Sequence, residues 1–279
     1  MGYDVTTLGA RKPNRSEYDT RIGYKQVPLP FLRKVANRIL SKPRYLFQNR
    51  QMWHLFKRFD QEVAQIILNS EPRYTVLCTS MAEISLKASQ SVGAKSILLQ
   101  GSSPLQFFEK YMIEANDPNP QIGKSWKRKQ EMEILSANIV VVESSFVKRD
   151  CQKLGARPDQ ICVIPPHIKK THRSNVPLPT PVTFGTIQLG FGKGTEKLIQ
   201  WWSSCLQIDS SLFLVGKIDP FWKKRIFKAH ARIQCFGYLQ GEAWDRMLKS
   251  ISVAIFPTYS DGGPRSLFEC MAYGHCPIV

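Results

Sequence analysis

Short apolar runs alternate with amphipathic stretches along most of the chain, and this pattern sets the predicted elements. Strands are predicted in YDVTTL, RYTVLCTS, KSILLQ, NIVVVES, QICVIPP, VTFGTI, SLFLVG, RIQCFGYL, SVAIFP and CPIV. Helices are predicted over 45–69, 81–92, 104–115, 125–137, 145–154, 194–207, 220–231, 241–250 and 266–273. Wholly apolar strands between helices are typical of parallel sheets covered on both faces. The pattern therefore predicts an α/β protein.

A polar, proline-rich segment divides this alternation in two. Residues 167–182 read HIKKTHRSNVPLPTPV, a composition typical of a linker, and the strand–helix pattern restarts directly after it. We expect two doubly wound, Rossmann-like domains facing across a cleft, over 1–166 and 183–279. Ligands of such sheets bind beyond the carboxyl ends of the strands, so the loops after strands are the candidate sites.

The amino-acid composition limits which cellular compartment and which metal or disulfide sites we expect. The seven cysteines are scattered, odd in number and never spaced Cys-x-x-Cys, which favours reduced thiols in the cytoplasm over disulfides or a zinc centre. The chain has no run of eighteen apolar residues and no secretory signal pattern at its beginning. We expect a cytoplasmic protein, with peripheral attachment to the inner face of the membrane as an open alternative.

The charge favours an anionic partner, with a solvated basic face that has no specific partner as an equally weighted alternative. The formal net charge is +17, and residues 1–60 hold thirteen Lys/Arg against four Asp/Glu. The stretch from Phe31 to Phe59 mixes bases with large apolar side chains, so it could bind an anionic membrane surface. An equally weighted alternative is that its aromatic residues pack under the first sheet. No nucleic-acid-binding motif accompanies the charge, so we expect no nucleic acid partner.

The loop QLGFGKG, after a predicted strand, has the features of a phosphate site. Gly190, Gly192 and Gly194 allow close approach of a ligand to the backbone, and Lys193 adds a positive charge at the start of a helix. The spacing is not that of a Walker loop. A purely structural glycine turn is the alternative.

The segment SDGGPRSLFE combines groups that bind phosphates with groups that bind hydroxyls. Gly262 and Gly263 precede a helix that begins near Arg265, whose first-turn N–H groups face an anion. The carboxylates of Asp261 and Glu269 can accept hydrogen bonds from hydroxyls. A ligand with both kinds of group is a sugar nucleotide. The alternative is a surface ion pair between Arg265 and Glu269, one helical turn apart.

The stretch SVAIFPTYSDGGPRSLFECMAYGHCPIV resembles the donor-site signature of family 4 retaining glycosyltransferases, which have the GT-B fold. That signature places an acid, seven residues and then Glu, as Asp261 and Glu269 do here. LQGSSPLQFFEKYMIEAN resembles the acceptor-side loop and helix of one branch of the family. EMEILSANIVVVESSFVKRDCQKLGARPDQICVIPPHI and FGTI…GKGTEKLIQ resemble the end of its first domain and the opening of its second. The resemblance begins at GYDVTTLG and ends at CPIV, so we expect a partial or truncated chain.

The resemblance implies a role for each matching residue. It makes 1–166 the acceptor domain and 183–279 the donor domain. Lys193, Asp261 and Arg265 are the implied catalytic residues. The donor would be bound by Gly192, Gly194, Phe236, Gly237, Tyr238, Gly262, Gly263, Ser266, Leu267 and Glu269. The acceptor side would be formed by Gly101, Ser102, Ser103 and Gln106. The implied co-substrate is a nucleotide-diphosphate sugar and the acceptor is a glycan or lipid-linked hydroxyl. With no Asp-x-Asp triplet we expect neither a metal nor another cofactor.

The chain departs from the family pattern at three positions. Asp261 replaces the usual Glu, Gln100 stands near the usual histidine of the acceptor loop, and no arginine closely precedes Lys193. Losing one of two charge-assisted phosphate contacts weakens transition-state stabilisation. A second reading therefore stays open, in which the protein binds a nucleotide or glycan without turnover.

Overall fold

A computed structural model of the chain describes residues 6–9, 23–26, 50–168, 182–187, 189–205, 209–217 and 232–279. The strands are β1 (Thr6–Gly9), β2 (Gly23–Gln26), β3 (Tyr74–Cys78), β4 (Lys95–Gln100), β5 (Ile139–Val142), β6 (Ile161–Val163), β7 (Thr183–Ile187), β8 (Ser211–Val215), β9 (Ile233–Gly237), β10 (Val253–Ile255) and β11 (Cys276–Ile278). The helices are α1 (Arg50–Ser70), α2 (Glu83–Ser91), α3 (Leu105–Glu114), α4 (Lys124–Ser136), α5 (Ser145–Leu154), α6 (Thr195–Ser204), α7 (Gly241–Ser250) and α8 (Arg265–Ala272). A short 3₁₀ helix spans Pro158–Gln160.

Most of these elements coincide with the predicted ones. The short strand β2, in the polar segment GYKQ, was not predicted, because its residues lack the apolar run that marks a buried strand. The predicted helix over 220–231 and most of the predicted linker lie outside the described residues. Among the described residues, no helix combines the length and apolar character needed to cross a membrane.

The residues form two compact units. The first runs up to Gln100 and includes Pro104–Gln106 and Gln121–Val163. The second contains Gly101–Ser103, Phe107–Pro120 and the chain from Ile164 onward. Besides the parallel pair β1–β2, each unit has one parallel sheet.

The sheet of the first unit has the strand order β3-β4-β5-β6 and is parallel throughout. Alternate residues on one face, such as Leu77, Leu98 and Val140, enter a core shared with α1, α2, α4 and α5. On the other face Tyr74 and Val76 are exposed, the latter at 62%. The described residues therefore show an apolar core on one face of the first sheet.

The sheet of the second unit has the order β11-β10-β7-β8-β9, also parallel. Its strands alternate between two cores: Leu212 and Leu214 of β8 pack with α6, whereas Phe213 and Val215 face α7 and α8. This sheet is doubly wound, as predicted. The strand order reverses between β7 and β10, which are neighbours in the sheet.

Candidate functional site

Two of the loops that carry predicted site residues of the second unit follow β7 and β10, the two strands at which the strand order reverses. In open α/β sheets this position forms a crevice beyond the strand ends. The loop after β10 is hydrogen-bonded to the loop after β7: the Tyr259 N–H and the Thr258 hydroxyl both donate to the Gly192 carbonyl, at 2.9 and 3.0 Å. The fold therefore brings the two predicted loops together.

The loop after β7 requires glycine at Gly194. Its φ is +66°, a region that side chains disfavour, and a Cβ there would collide with the Pro257 carbonyl. The loop closes on itself, because the Gly190 N–H donates to the Thr195 hydroxyl at 2.9 Å and the Gly194 N–H donates to the Phe191 carbonyl at 2.8 Å. Lys193 is thereby placed in this turn, two residues before the first residue of α6.

Lys193 and Asp261, which were predicted as site residues from two different loops, form an ion pair. The Lys193 ammonium donates a hydrogen bond to Asp261 Oδ2, and the two side chains are 29% and 17% exposed. The other carboxylate oxygen of Asp261 accepts the Gly263 N–H at 3.3 Å. One cation and one carboxylate thus lie together in a mostly buried position.

Helix α8 begins at Arg265, one residue before a buried serine. No side chain caps this helix, and the Leu267 N–H donates to the Pro264 carbonyl at 2.8 Å. The Ser266 hydroxyl is buried and has no hydrogen-bond partner, and the same is true of Ser260 in the preceding loop. Since buried hydroxyls are normally paired, both are available to a polar ligand.

Arg265 and Glu269 form the ion pair that the alternative reading anticipated. Arg265 Nε lies 3.4 Å from Glu269 Oε1 across one helical turn, with the side chains 73% and 27% exposed. Such a pair contributes little to stability and can exchange for a ligand. It is compatible with both readings of this helix.

The predicted nucleobase region lies at the end of β9. Phe236 packs on Phe213 with ring centroids 4.7 Å apart, and Gly237 has a φ of +67°. Tyr238 is 72% exposed, and its hydroxyl accepts a hydrogen bond from the Gln240 amide at 2.7 Å. The structure therefore offers an exposed aromatic ring at a strand end.

The predicted acceptor residues divide between the two units. Gly101, Ser102 and Ser103 belong to the second unit and Gln106 to the first. Within the second unit, a Cβ on Gly262 would collide with the Gly101 carbonyl, so the two backbones approach closely. Ser103 is fully buried and its hydroxyl has no hydrogen-bond partner. The second unit therefore brings part of the predicted acceptor loop against the loop after β10.

Sequence reasoning did not select Thr258, Tyr259 and Ser260, although they precede Asp261 directly. Their polar side chains in a loop after a buried strand were the available signal. A cavity of about 380 Å³ in the second unit is lined by Tyr259, Gly194 and neighbouring residues, but by neither Lys193 nor Asp261. Among the described residues, no cluster of His, Cys, Asp or Glu could hold a metal ion.

Comparison with solved structures identifies the fold as that of GT-B glycosyltransferases. Sucrose-phosphate synthase from Thermosynechococcus elongatus matches 99% of this chain and 71% of its own, with 14% identity and a TM-score of 0.68. Anabaena HepE in complex with UDP-glucose matches 98% of this chain and 79% of its own, with 13% identity and a TM-score of 0.63. The lipopolysaccharide outer core galactosyltransferase WaaB, in its apo form, matches 92% and 65%, with 18% identity and a TM-score of 0.57.

These likenesses establish the architecture. The predicted GT-B fold, with two Rossmann-like parallel sheets, is confirmed. The chain spans about two thirds of the length of several of the glycosyltransferases that it matches. No protein-family model matches the sequence, and no curated protein matches it either.

Proposed function

We propose that this chain is a family 4 retaining glycosyltransferase that moves a sugar from a nucleotide-diphosphate sugar to a hydroxyl acceptor, without a metal, in polysaccharide or glycolipid synthesis. The observation that carries the proposal is the juxtaposition of Lys193 with Asp261 where the strand order reverses. A cation for phosphate and a carboxylate for hydroxyls, side by side, match the two halves of such a donor.

Each end of the donor has a proposed contact. Lys193 and Arg265 bind the diphosphate, together with the first-turn amides of α8. Asp261 accepts hydrogen bonds from the hydroxyls of the transferred sugar, and Glu269 accepts those of the ribose. The base lies against Phe236–Tyr238. We assign donor binding to 183–279, acceptor binding to 1–166, and the connection to 167–182.

The proposed reaction needs no side-chain nucleophile. The bond between the sugar and the diphosphate breaks as Lys193 and Arg265 stabilise the negative charge that develops on the leaving group. The sugar passes through an oxocarbenium-like state, and the acceptor hydroxyl attacks from the face that the diphosphate leaves. A phosphate oxygen takes the hydroxyl proton. Configuration at the anomeric carbon is retained.

Replacement of Glu269 tests the donor assignment. Glu269→Ala should weaken binding of UDP and UDP-glucose by about 1–3 kcal/mol, because a charged acceptor for two hydroxyls is lost. Isothermal titration calorimetry measures the change. Glu242→Ala, which removes an exposed acid of α7, is the control and should bind as the wild type does. An unchanged affinity in Glu269→Ala would remove Glu269 from the ribose site.

A second candidate function is nucleotide-sugar binding without turnover. It is favoured by the residues before Lys193, which are Leu189, Gly190, Phe191 and Gly192, with no second cation. A transfer assay in EDTA, with hydroxyl acceptors and release of free UDP as the readout, separates the two candidates. Transfer in EDTA supports the proposed enzyme. Binding with no transfer, with or without Mg²⁺, supports the binding protein, and transfer only with Mg²⁺ contradicts the metal-independent mechanism.

A further inference from the structure

The cations and carboxylates of the candidate donor site are paired with each other. Lys193 pairs with Asp261 across two loops, 68 residues apart in the chain, while Arg265 pairs with Glu269 within α8. The first pair is mostly buried, whereas Arg265 is largely exposed. A buried pair is costly to break because each charge then needs another partner, but an exposed pair exchanges easily. The two pairs therefore oppose ligand binding to different extents.

A diphosphate that binds Lys193 must compete with Asp261. If Lys193 turns to the phosphate, the Asp261 carboxylate keeps one described donor, the Gly263 N–H at 3.3 Å. A carboxylate that is only 17% exposed and has lost its cation is destabilised. It also lies close to the negative phosphates. Binding of a diphosphate without a sugar is therefore opposed, because it leaves the Asp261 carboxylate without its cation.

Sugar hydroxyls would relieve this cost, because they donate hydrogen bonds to the released carboxylate. We propose that Asp261 is a specificity-determining residue that makes the site favour an intact nucleotide-diphosphate sugar over the free nucleoside diphosphate. This inference rests on the proposed function of the site. After transfer no sugar hydroxyls remain to bind Asp261, so Lys193 pairs with Asp261 again. The affinity of the site for the remaining nucleoside diphosphate is thereby lowered. Glu269 contributes nothing to this selectivity, because the ribose that it contacts is present in both ligands.

The test compares UDP with UDP-glucose in calorimetric titrations of the wild type and four variants. Asp261→Asn keeps the shape of the side chain but removes the charge that competes for Lys193. UDP should bind this variant about three- to tenfold more tightly than the wild type, the scale of a partly buried ion pair. UDP-glucose should gain nothing or bind less tightly, so the preference for the intact donor falls.

Two matched variants separate this effect from a general loss of negative charge. Glu196→Gln removes an acid from the first turn of α6, three residues from Lys193, and should leave the ratio of the two affinities unchanged. Glu269→Gln should weaken both ligands to the same extent. Asp261→Glu restores the carboxylate and should restore the preference. Tighter binding of UDP by Asp261→Asn shows that this variant is folded.

Several results would overturn the inference. It is overturned if Asp261→Asn binds UDP no more tightly than the wild type, or if Glu196→Gln changes the ratio as much. If the wild type binds neither UDP nor UDP-glucose, the proposed function fails with these donors. Inorganic pyrophosphate then still measures the competition for Lys193: tighter binding by Asp261→Asn than by Glu196→Gln supports it, and equal binding rejects it.

Discussion

Gly190 and Gly194 lie in one loop but have different structural roles. A Cβ on Gly190 would meet nothing within 4 Å, whereas one on Gly194 would strike the Pro257 carbonyl. Gly194 also has a positive φ and is the residue before α6. The placement of Lys193 therefore depends on the second glycine and not on the first.

Gly194→Ala should destabilise the second unit by about 1–3 kcal/mol, because alanine is strained at positive φ and the two loops must separate. UDP-glucose binding should fall at least about tenfold, since Lys193 loses its position beside Asp261. Thermal denaturation and calorimetric titration measure the two effects. Gly190→Ala, the matched control, should change neither. Equal effects of the two substitutions would refute this account of the loop.

At the scale of elements, α4 holds the loops at the carboxyl ends of two strands of the first unit. Glu133 accepts hydrogen bonds from the N–H groups of Ser80 and Ala82, at 2.5 and 2.9 Å, in the loop after β3. Gln130 accepts the Leu105 N–H at 2.6 Å, at the start of α3. Lys129 Nζ lies 3.9 Å from the carboxylate of Glu133. One face of this helix thus organises loops that the proposal places on the acceptor side.

Burial gives Glu133 an unusual titration. The pKa of Glu133 is raised to about 7, mainly by burial and to a smaller extent by the charge of Asp60, although the N–H groups of Ala82 and Ser80 and the charge of Lys129 lower it. The folded protein therefore binds a proton that the unfolded chain, with an ordinary glutamate pKa of 4.5, has already released. Stability from this group is complete below that lower value and is lost as the pH rises through about 7.

The free energy of unfolding should therefore fall by an amount on the order of 2–3 kcal/mol between pH 4.5 and pH 7.5, through Glu133. Glu133→Gln should remove this pH dependence and also lower stability at pH 5 by about 1–3 kcal/mol, because an amide NH₂ would face one of the two N–H donors. Urea denaturation across this pH range measures both. Glu131→Gln, on the same helix but outside the cluster, should keep the wild-type slope. A wild-type slope in Glu133→Gln would assign the titration to another group.

The net charge of +17 is a property of the whole molecule, but its candidate membrane segment is only partly described. In the described part of Phe31–Phe59, Trp53 and Phe56 make edge contacts with Trp126, at centroid distances of 4.9 and 5.5 Å. These two aromatic residues therefore pack against α4 of the first unit. The membrane hypothesis therefore depends on residues 31–49, all of which lie outside the described residues.

Co-sedimentation with phosphatidylglycerol vesicles tests this hypothesis. Arg33→Ala with Lys34→Ala should weaken binding by about 2 kcal/mol, because each base near an anionic surface contributes roughly 1 kcal/mol. Lys87→Ala with Lys249→Ala removes the same charge from exposed positions elsewhere and should have little effect. Equal losses in the two double variants, or binding that persists unchanged in high salt, would reject a specific membrane segment.

The sequence by itself determined the α/β class, nearly all the described strands and helices, and the types of residue in the two site loops. These features are local. A buried strand needs an apolar run, a helix needs a 3.6-residue period, and a loop that approaches a ligand needs glycine. Strand β2 was not predicted, because a short polar strand lacks the apolar run that indicates a buried strand.

Only the tertiary structure decided which loops meet and which charges pair. The strand order that places β7 beside β10 depends on the packing of helices on both faces, and no local pattern encodes it. The pairing of Lys193 with Asp261 follows from that order, as does the approach of Thr258 and Tyr259 to Gly192. The sequence determines which residue types are present in each loop, but long-range packing determines which of these residues contact one another.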